Sequence, residues 1–161
     1  MADTVPLSIL LPVYNGAAFL RPQLDSILGQ THRDFELLAY DDGSTDDSLA
    51  ILKVAAAADP RIRLLVGANN SGQRFALREL LSRARNDLIM FSDQDDVWLP
   101  DKTARLVAAL GDASLAYGTS QLINAQGAAM GQTIFDHVGP PLSGYNQIDF
   151  LSRTTISGHA L

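Results

Sequence analysis

The segment Leu88-Ile89-Met90-Phe91-Ser92-Asp93-Gln94-Asp95-Asp96-Val97-Trp98 decides how this chain is read. Four apolar residues in a row are too few for a helix and read as a buried strand. That strand runs directly into a cluster of carboxylates. Moving back toward the N-terminus, the same arrangement recurs. Residues 35–40 (FELLAY) form a second apolar run, ending in Asp41-Asp42-Gly43-Ser44-Thr45-Asp46. Residues 7–13 (LSILLPV) form a third, ending in Tyr14-Asn15-Gly16. Residues 62–66 read as a further strand. Helical spacing fills the intervals: residues 17–30 carry Leu20, Leu24, Ile27 and Leu28 on one face, with Pro22 expected in the first turn. Residues 48–58, 73–85 and 100–110 read as helices. Residues 115–123 read as a strand followed by a turn at 124–127, residues 133–145 as an irregular loop and residues 146–152 as a short helix.

Strands alternating with helices imply a mostly parallel open α/β sheet with helices on both faces. Such sheets bind ligands outside the carboxyl ends of their strands, where the strand order reverses. Tyr14-Asn15, Asp41-Asp42 and Asp93 to Asp96 each follow a strand. Three polar clusters distant in sequence are therefore expected on one rim.

Composition narrows the chemistry. The chain has 161 residues, enough for one domain with a core, and no cysteine. Disulfides, thiolate metal sites and cysteine nucleophiles are excluded, and cysteine-free usage fits a cytoplasmic location. A formal net charge of -6 excludes the basic footprint of a nucleic-acid binder. No apolar run approaches the length of a membrane span, and the N-terminus lacks the features of a signal peptide. Only Glu36 and Glu79 are Glu; every other acid is Asp. Clustered Asp serves turns, helix caps or a cation. Asp46, Asp47 and Asp101 stand at helix starts and read as caps. Asp93 and Asp95 are two residues apart and fall on one side of an extended segment, where like charges repel unless a cation intervenes. Hard divalent cations, Mg2+ or Mn2+, suit such oxygen ligands and share phosphate oxygens with a substrate.

With these motifs in place, the chain resembles the inverting family-two glycosyltransferases of the GT-A fold. The resemblance rests on Ser8 to Asn15, Asp41 to Asp46, Asn70-Ser71-Gly72 before a helix, and Asp93-Gln94-Asp95-Asp96-Val97-Trp98 followed by Pro100-Asp101-Lys102. The last of these looks most like rhamnosyltransferase-type members that build bacterial surface polysaccharides. The resemblance implies that Pro12, Val13, Tyr14 and Asn15 line the base and ribose pocket of a UDP- or dTDP-sugar. It implies that Asp41 accepts from the pyrimidine N3–H, that Asp42 and Gly43 shape the turn, and that Arg74 meets base or diphosphate. Asp93 would contact ribose or sugar and Asp95 would bind the metal. Trp98 is expected in packing rather than on the donor. Residues 1–161 would then form a single nucleotide-sugar-binding domain lacking the acceptor-side part. The catalytic base is expected beyond Ser157-Gly158-His159, so no catalytic residue is assigned. The implied acceptor is a glycan or lipid-linked hydroxyl, with the protein at the inner face of the membrane.

Two alternatives use the same residues. A nucleotide-binding module without turnover is one. The other is a haloacid dehalogenase-type phosphatase with Asp93 as nucleophile, since Asp93 to Val97 fits that motif. That fold opens on its nucleophile strand, whereas three strands precede it here. Lys102 is the one downstream Lys, and no Asp-Asp pair follows Asp96. A dinucleotide site is disfavoured because no Gly-x-Gly-x-x-Gly follows the first strand.

Overall fold

The computed structural model describes residues 5–138; the expected helix at 146–152 and the segment around His159 lie outside them. The element order is β1 (Leu7–Val13), α1 (Ala17–Leu28), β2 (Phe35–Asp41), α2 (Ser48–Ala58), β3 (Ile62–Val66), α3 (Gln73–Leu81), β4 (Leu88–Phe91), α4 (Lys102–Leu110), β5 (Gln121–Ile123), β6 (Ala129–Thr133) and α5 (Ile134–Val138). The first four strands form one parallel sheet in the order β3-β2-β1-β4. The order reverses between β1 and β4, so the switch point lies beside β1.

β1 and β2 read as continuous apolar runs because both of their faces are covered. Neither strand alternates apolar with polar residues; instead parity decides which layer each residue enters. Ile9, Leu11, Leu37, Ala39 and Met90 pack with Leu20, Leu24 and Ile27 of α1 and Leu52 of α2. Leu10, Leu38 and Tyr40 pack with Ala76 and Leu80 of α3 on the opposite face. Each fully buried Leu or Ile contributes about 1.5–3 kcal/mol, so these two layers fix the register of the central strands.

Several boundaries differ from the sequence reading, each for a local reason. α1 begins at Ala17 as read, where the Gly16 N–H donates to Ser48 Oγ and the Ala17 N–H to Asp46 Oδ2, but it stops at Leu28 rather than 30. Pro22 therefore falls past the first turn, inside the helix. α3 stops at Leu81 rather than continuing to 85. Beyond it the Arg85 N–H donates to Glu36 and the Asn86 N–H to Ser8 Oγ, which draws the chain off the helix axis. α4 starts at Lys102 rather than 100: the Leu99 carbonyl accepts from Gln30 Nε2, and the Pro100 carbonyl accepts from the Thr31 N–H. The strand expected over 115–123 contracts to β5. It pairs antiparallel with β6 across a turn in which Asn124 Oδ1 accepts from the Gln126 and Ala128 amides. α5 occupies the start of the stretch 133–145 read as an irregular loop, and β6 leads into it.

Candidate functional site

Parallel strands place β1, β2 and β4 with their carboxyl ends on one side of the sheet, so the three polar clusters emerge together. Between them lies a cavity of about 400 Å³, lined by Pro12, Val13, Tyr14, Asp42, Gln73, Ala76, Asp93, Gln94 and Asp95. That volume lies within the range of small-molecule sites. The cavity sits at the switch point between β1 and β4, on the face covered by α3.

Parity explains which acid of Asp41-Asp42 reaches the cavity. Leu38 and Tyr40 face α3, and two-residue alternation carries Asp42 onto the same side. Phe91 packs against that layer too, and Asp93 follows it by two. Asp41 has the parity of Leu37 and Ala39 and turns away. It is buried beneath the following turn, with Oδ2 accepting from the Ser44 N–H at 3.2 Å and Oδ1 without a hydrogen bond among the described residues. Asp41, expected at the base, is therefore outside the cavity lining, and Asp42, expected to shape the turn, is within it. The adjacent identical acids hid this in the sequence, and parity from Tyr40 separates them only once α3 is placed on the Tyr40 face.

Asp42 also ties down the neighbouring loop. Its Oδ1 accepts from the Ser71 N–H at 2.9 Å and its Oδ2 from the Gly72 N–H at 2.7 Å. Gly43, at φ +74°, lets that loop approach so closely that an added Cβ would stand 2.8 Å from the Asn69 carbonyl carbon. The loop delivers α3, whose first residue Gln73 donates through Nε2 to Asp93 Oδ1 at 3.2 Å. Gln73, Gln94 and Ala76 are cavity residues that the sequence reading did not single out.

Asn15 and Arg74 are not among the lining residues. Asn15, in the left-handed region at φ 49°, works as a brace: its Oδ1 accepts from the Thr45 N–H at 2.8 Å, and its own N–H donates to Ser44 Oγ. Asp46 joins α1 to α2, accepting from Ser48 N–H and Ala17 N–H; the Ser48 side chain first, and then these backbone bonds, hold its carboxyl below the usual range against the effect of burial. Asp47 and Asp101 occupy N-cap positions but make no side-chain capping bond.

Trp98 is buried in the α1 layer, as expected of a packing residue, and its backbone N–H donates to Ser26 Oγ. Lys102 lies over its ring, 4.2 Å from the centroid. Burial pushes the Lys102 ammonium below its ordinary value, against the opposing pull of Asp96 and Asp93.

Asp95 is exposed and Asp93 half-buried. Among the described residues no three His, Cys, Asp or Glu side chains converge as a complete metal cage. Two carboxylates facing a cavity of nucleotide size still fit Mg2+ or Mn2+, which take one or two protein carboxylates and complete their shell with water and substrate phosphates.

The fold is an open, parallel α/β sheet with an acid-lined cavity at its switch point, and comparison with known proteins gives the family. The Glycosyl transferase family 2 profile matches residues 8–160, and the chain belongs to that family. It is 32% identical over 124 residues to the Escherichia coli UDP-Glc:alpha-D-GlcNAc-diphosphoundecaprenol beta-1,3-glucosyltransferase WfgD, covering 76% of this chain and 48% of WfgD. It is also 32% identical over 118 residues to the putative teichuronic acid biosynthesis glycosyltransferase TuaG of Bacillus subtilis, covering 73% of this chain and 47% of TuaG. Among solved structures, S. aureus TarS in complex with UDP-GlcNAc superposes with TM-score 0.59 at 26% identity, covering 67% of this chain and 31% of TarS. The chain thus spans half or less of the length of these relatives. Family membership supersedes the phosphatase reading of Asp93.

Proposed function

We propose that this chain binds the donor of a metal-dependent glycosyl transfer, a UDP- or dTDP-sugar, within a protein that passes the sugar to a hydroxyl acceptor with inversion. The observation that carries the reading is the meeting of Asp42, Asp93 and Asp95 with Pro12–Tyr14 in one cavity at the switch point. Acids there would repel a pyrophosphate without a divalent ion between them. In this reading Asp95 holds Mg2+ or Mn2+ and Asp93 accepts from a ribose or sugar hydroxyl. Asp42, rather than Asp41, accepts from the pyrimidine N3–H, because its carboxylate borders the cavity. Pro12 and Val13 offer an apolar wall to the base. When bound, the ion neutralises charge on the departing diphosphate. The general base that deprotonates the acceptor is assigned to no described residue.

Support for a uridine donor comes from TarS, which binds UDP-GlcNAc, and support for a role in surface-polysaccharide synthesis from the names of TuaG and WfgD. A rhamnosyl-type donor, a glycan or lipid-linked acceptor and a place at the cytoplasmic face of the membrane belong to the same proposal. No helix among the described residues is long and apolar enough to cross a membrane. Calorimetry tests the reading: UDP binds in the presence of Mn2+, and Asp95→Ala weakens that binding on the order of 100-fold, the loss of one charged ligand contact. Equal affinity in the variant, with or without Mn2+, overturns it.

A further inference from the structure

The β1–β4 ladder ends early, and its end explains the placement of Gln94. The Ser92 N–H donates to the Leu10 carbonyl at 3.0 Å, and the paired register stops at Leu10 and Phe91. The next rung would take an N–H from Pro12 to the Ser92 carbonyl, and proline has none. At this point, where β1 and β4 would otherwise splay, the Gln94 side chain crosses over. Its Oε1 accepts from the Tyr14 N–H at 2.8 Å, and its Nε2 donates to the Tyr14 carbonyl at 3.1 Å. Both halves of one amide thus engage both polar groups of one backbone residue 80 positions away.

Gly16 carries the complementary signal. A Cβ added there would lie 2.6 Å from Gln94 Oε1 and 2.7 Å from its Cδ. Gly16 has φ -103°, a conformation open to any residue, so the backbone does not require glycine. What glycine provides is room for the Gln94 amide.

We infer that Gln94 is a positioning residue: a side-chain strap that replaces the ladder rung denied by Pro12 and holds Asp93 and Asp95 at a fixed distance from the Pro12–Tyr14 wall. The inference rests on the donor-binding reading for its purpose, but not for its geometry. The middle residue of the Asp-Gln-Asp segment lies between two cavity acids, so its anchorage sets where both begin. Asn is one methylene short of the reach, and Glu replaces the amide donor with an oxygen facing the Tyr14 carbonyl.

The test is a double-mutant cycle on Gln94→Ala and Gly16→Ala, read by amide hydrogen exchange at Tyr14 in the ligand-free chain and by the calorimetric Kd for UDP with Mn2+. Each single variant accelerates Tyr14 exchange and raises Kd by about tenfold, the scale of losing two ordinary hydrogen bonds. The thermal midpoint falls by about 5 °C, because the two bonds belong to the ligand-free fold as well. The double variant is no worse than Gln94→Ala alone, since the new Cβ then meets no amide. Unchanged Tyr14 exchange in Gln94→Ala, or fully additive losses in the double variant, overturns the strap. A wild-type chain that binds no UDP breaks the donor reading instead, and the exchange cycle still decides whether Gln94 holds Tyr14.

Discussion

At the amino-terminal end of the sheet Glu36 is buried, and its carboxylate accepts from Ser8 Oγ at 2.6 Å, Arg63 Nη1 at 2.7 Å and the Arg85 N–H at 2.7 Å. At the carboxyl end Asp95 is exposed in the same rim as Asp93, Asp96 and Asp42, and Lys102 is the cation that feels Asp96 and Asp93. One end completes its acid with the chain's own donors and ties β1, β2, β3 and the approach to β4 together. At the other end Asp42 accepts from the Ser71 and Gly72 amides, Asp93 accepts from Gln73, and Asp95 is exposed. The contrast teaches that an acid's sequence neighbours say little about its place: Glu36 is an internal fastener, whereas Asp42, Asp93 and Asp95 border the cavity.

Breaking each end in turn should give opposite signatures. Glu36→Ala leaves Arg63 and two hydrogen-bond donors without their acceptor, and about 3 kcal/mol of stability should be lost, with a fall of roughly 10 °C in thermal midpoint. UDP affinity of the folded fraction should stay within about twofold. A loss of less than about 1 kcal/mol in denaturant titration would remove Glu36 from its role as fastener. Asp95→Ala should do the reverse: on the order of 100-fold in UDP–Mn2+ affinity, with stability unchanged or slightly raised as like-charge repulsion eases. Should Asp95→Ala unfold the chain, the contrast between the two ends fails.

Asp42 stands between the extremes, since it both borders the cavity and holds the Ser71 and Gly72 amides. Asp42→Ala should weaken UDP by about tenfold and free those two amides to exchange. Asp41→Ala should leave UDP affinity nearer the wild-type value. A larger binding loss in Asp41→Ala than in Asp42→Ala would reverse the parity argument.

The smallest expected effect is on pH dependence. Burial raises the pKa of Glu36, but the bonds from Ser8, Arg63 and Arg85 outweigh it and leave the carboxyl below its ordinary value. A depressed folded-state pKa contributes stability that is fully present above the unfolded value and is lost as pH falls through the folded one. Wild-type stability should therefore decline on the acid side of the ordinary carboxylate range, and Glu36→Gln should flatten that limb. Equal acid slopes in denaturant titrations of the two proteins would show that other carboxylates carry it.

Much of this was legible from the residues. The runs at 7–13, 35–40, 62–66 and 88–91 lie within a residue of the observed strands, and the central pair is apolar nearly throughout because both of its faces are covered. The placement of Asp93 and Asp95 on a common rim with Pro12–Tyr14 follows from parallel pairing alone. Helix ends were less legible, since tertiary bonds set them: Arg85 and Asn86 leave α3 for Glu36 and Ser8, and the carbonyls of Leu99 and Pro100 serve the end of α1.

The order of apolar and acidic residues along the chain thus determined the α/β layering and the end of the sheet at which a ligand would meet carboxylates, because local periodicity and parallel crossovers leave little choice. Only the tertiary structure decided which of Asp41 and Asp42 enters the cavity, that Asn15 braces a turn, and that Gln94 straps Tyr14. Those outcomes depend on strand parity, missing ladder rungs and contacts between residues up to 80 positions apart, and no local pattern encodes such pairings.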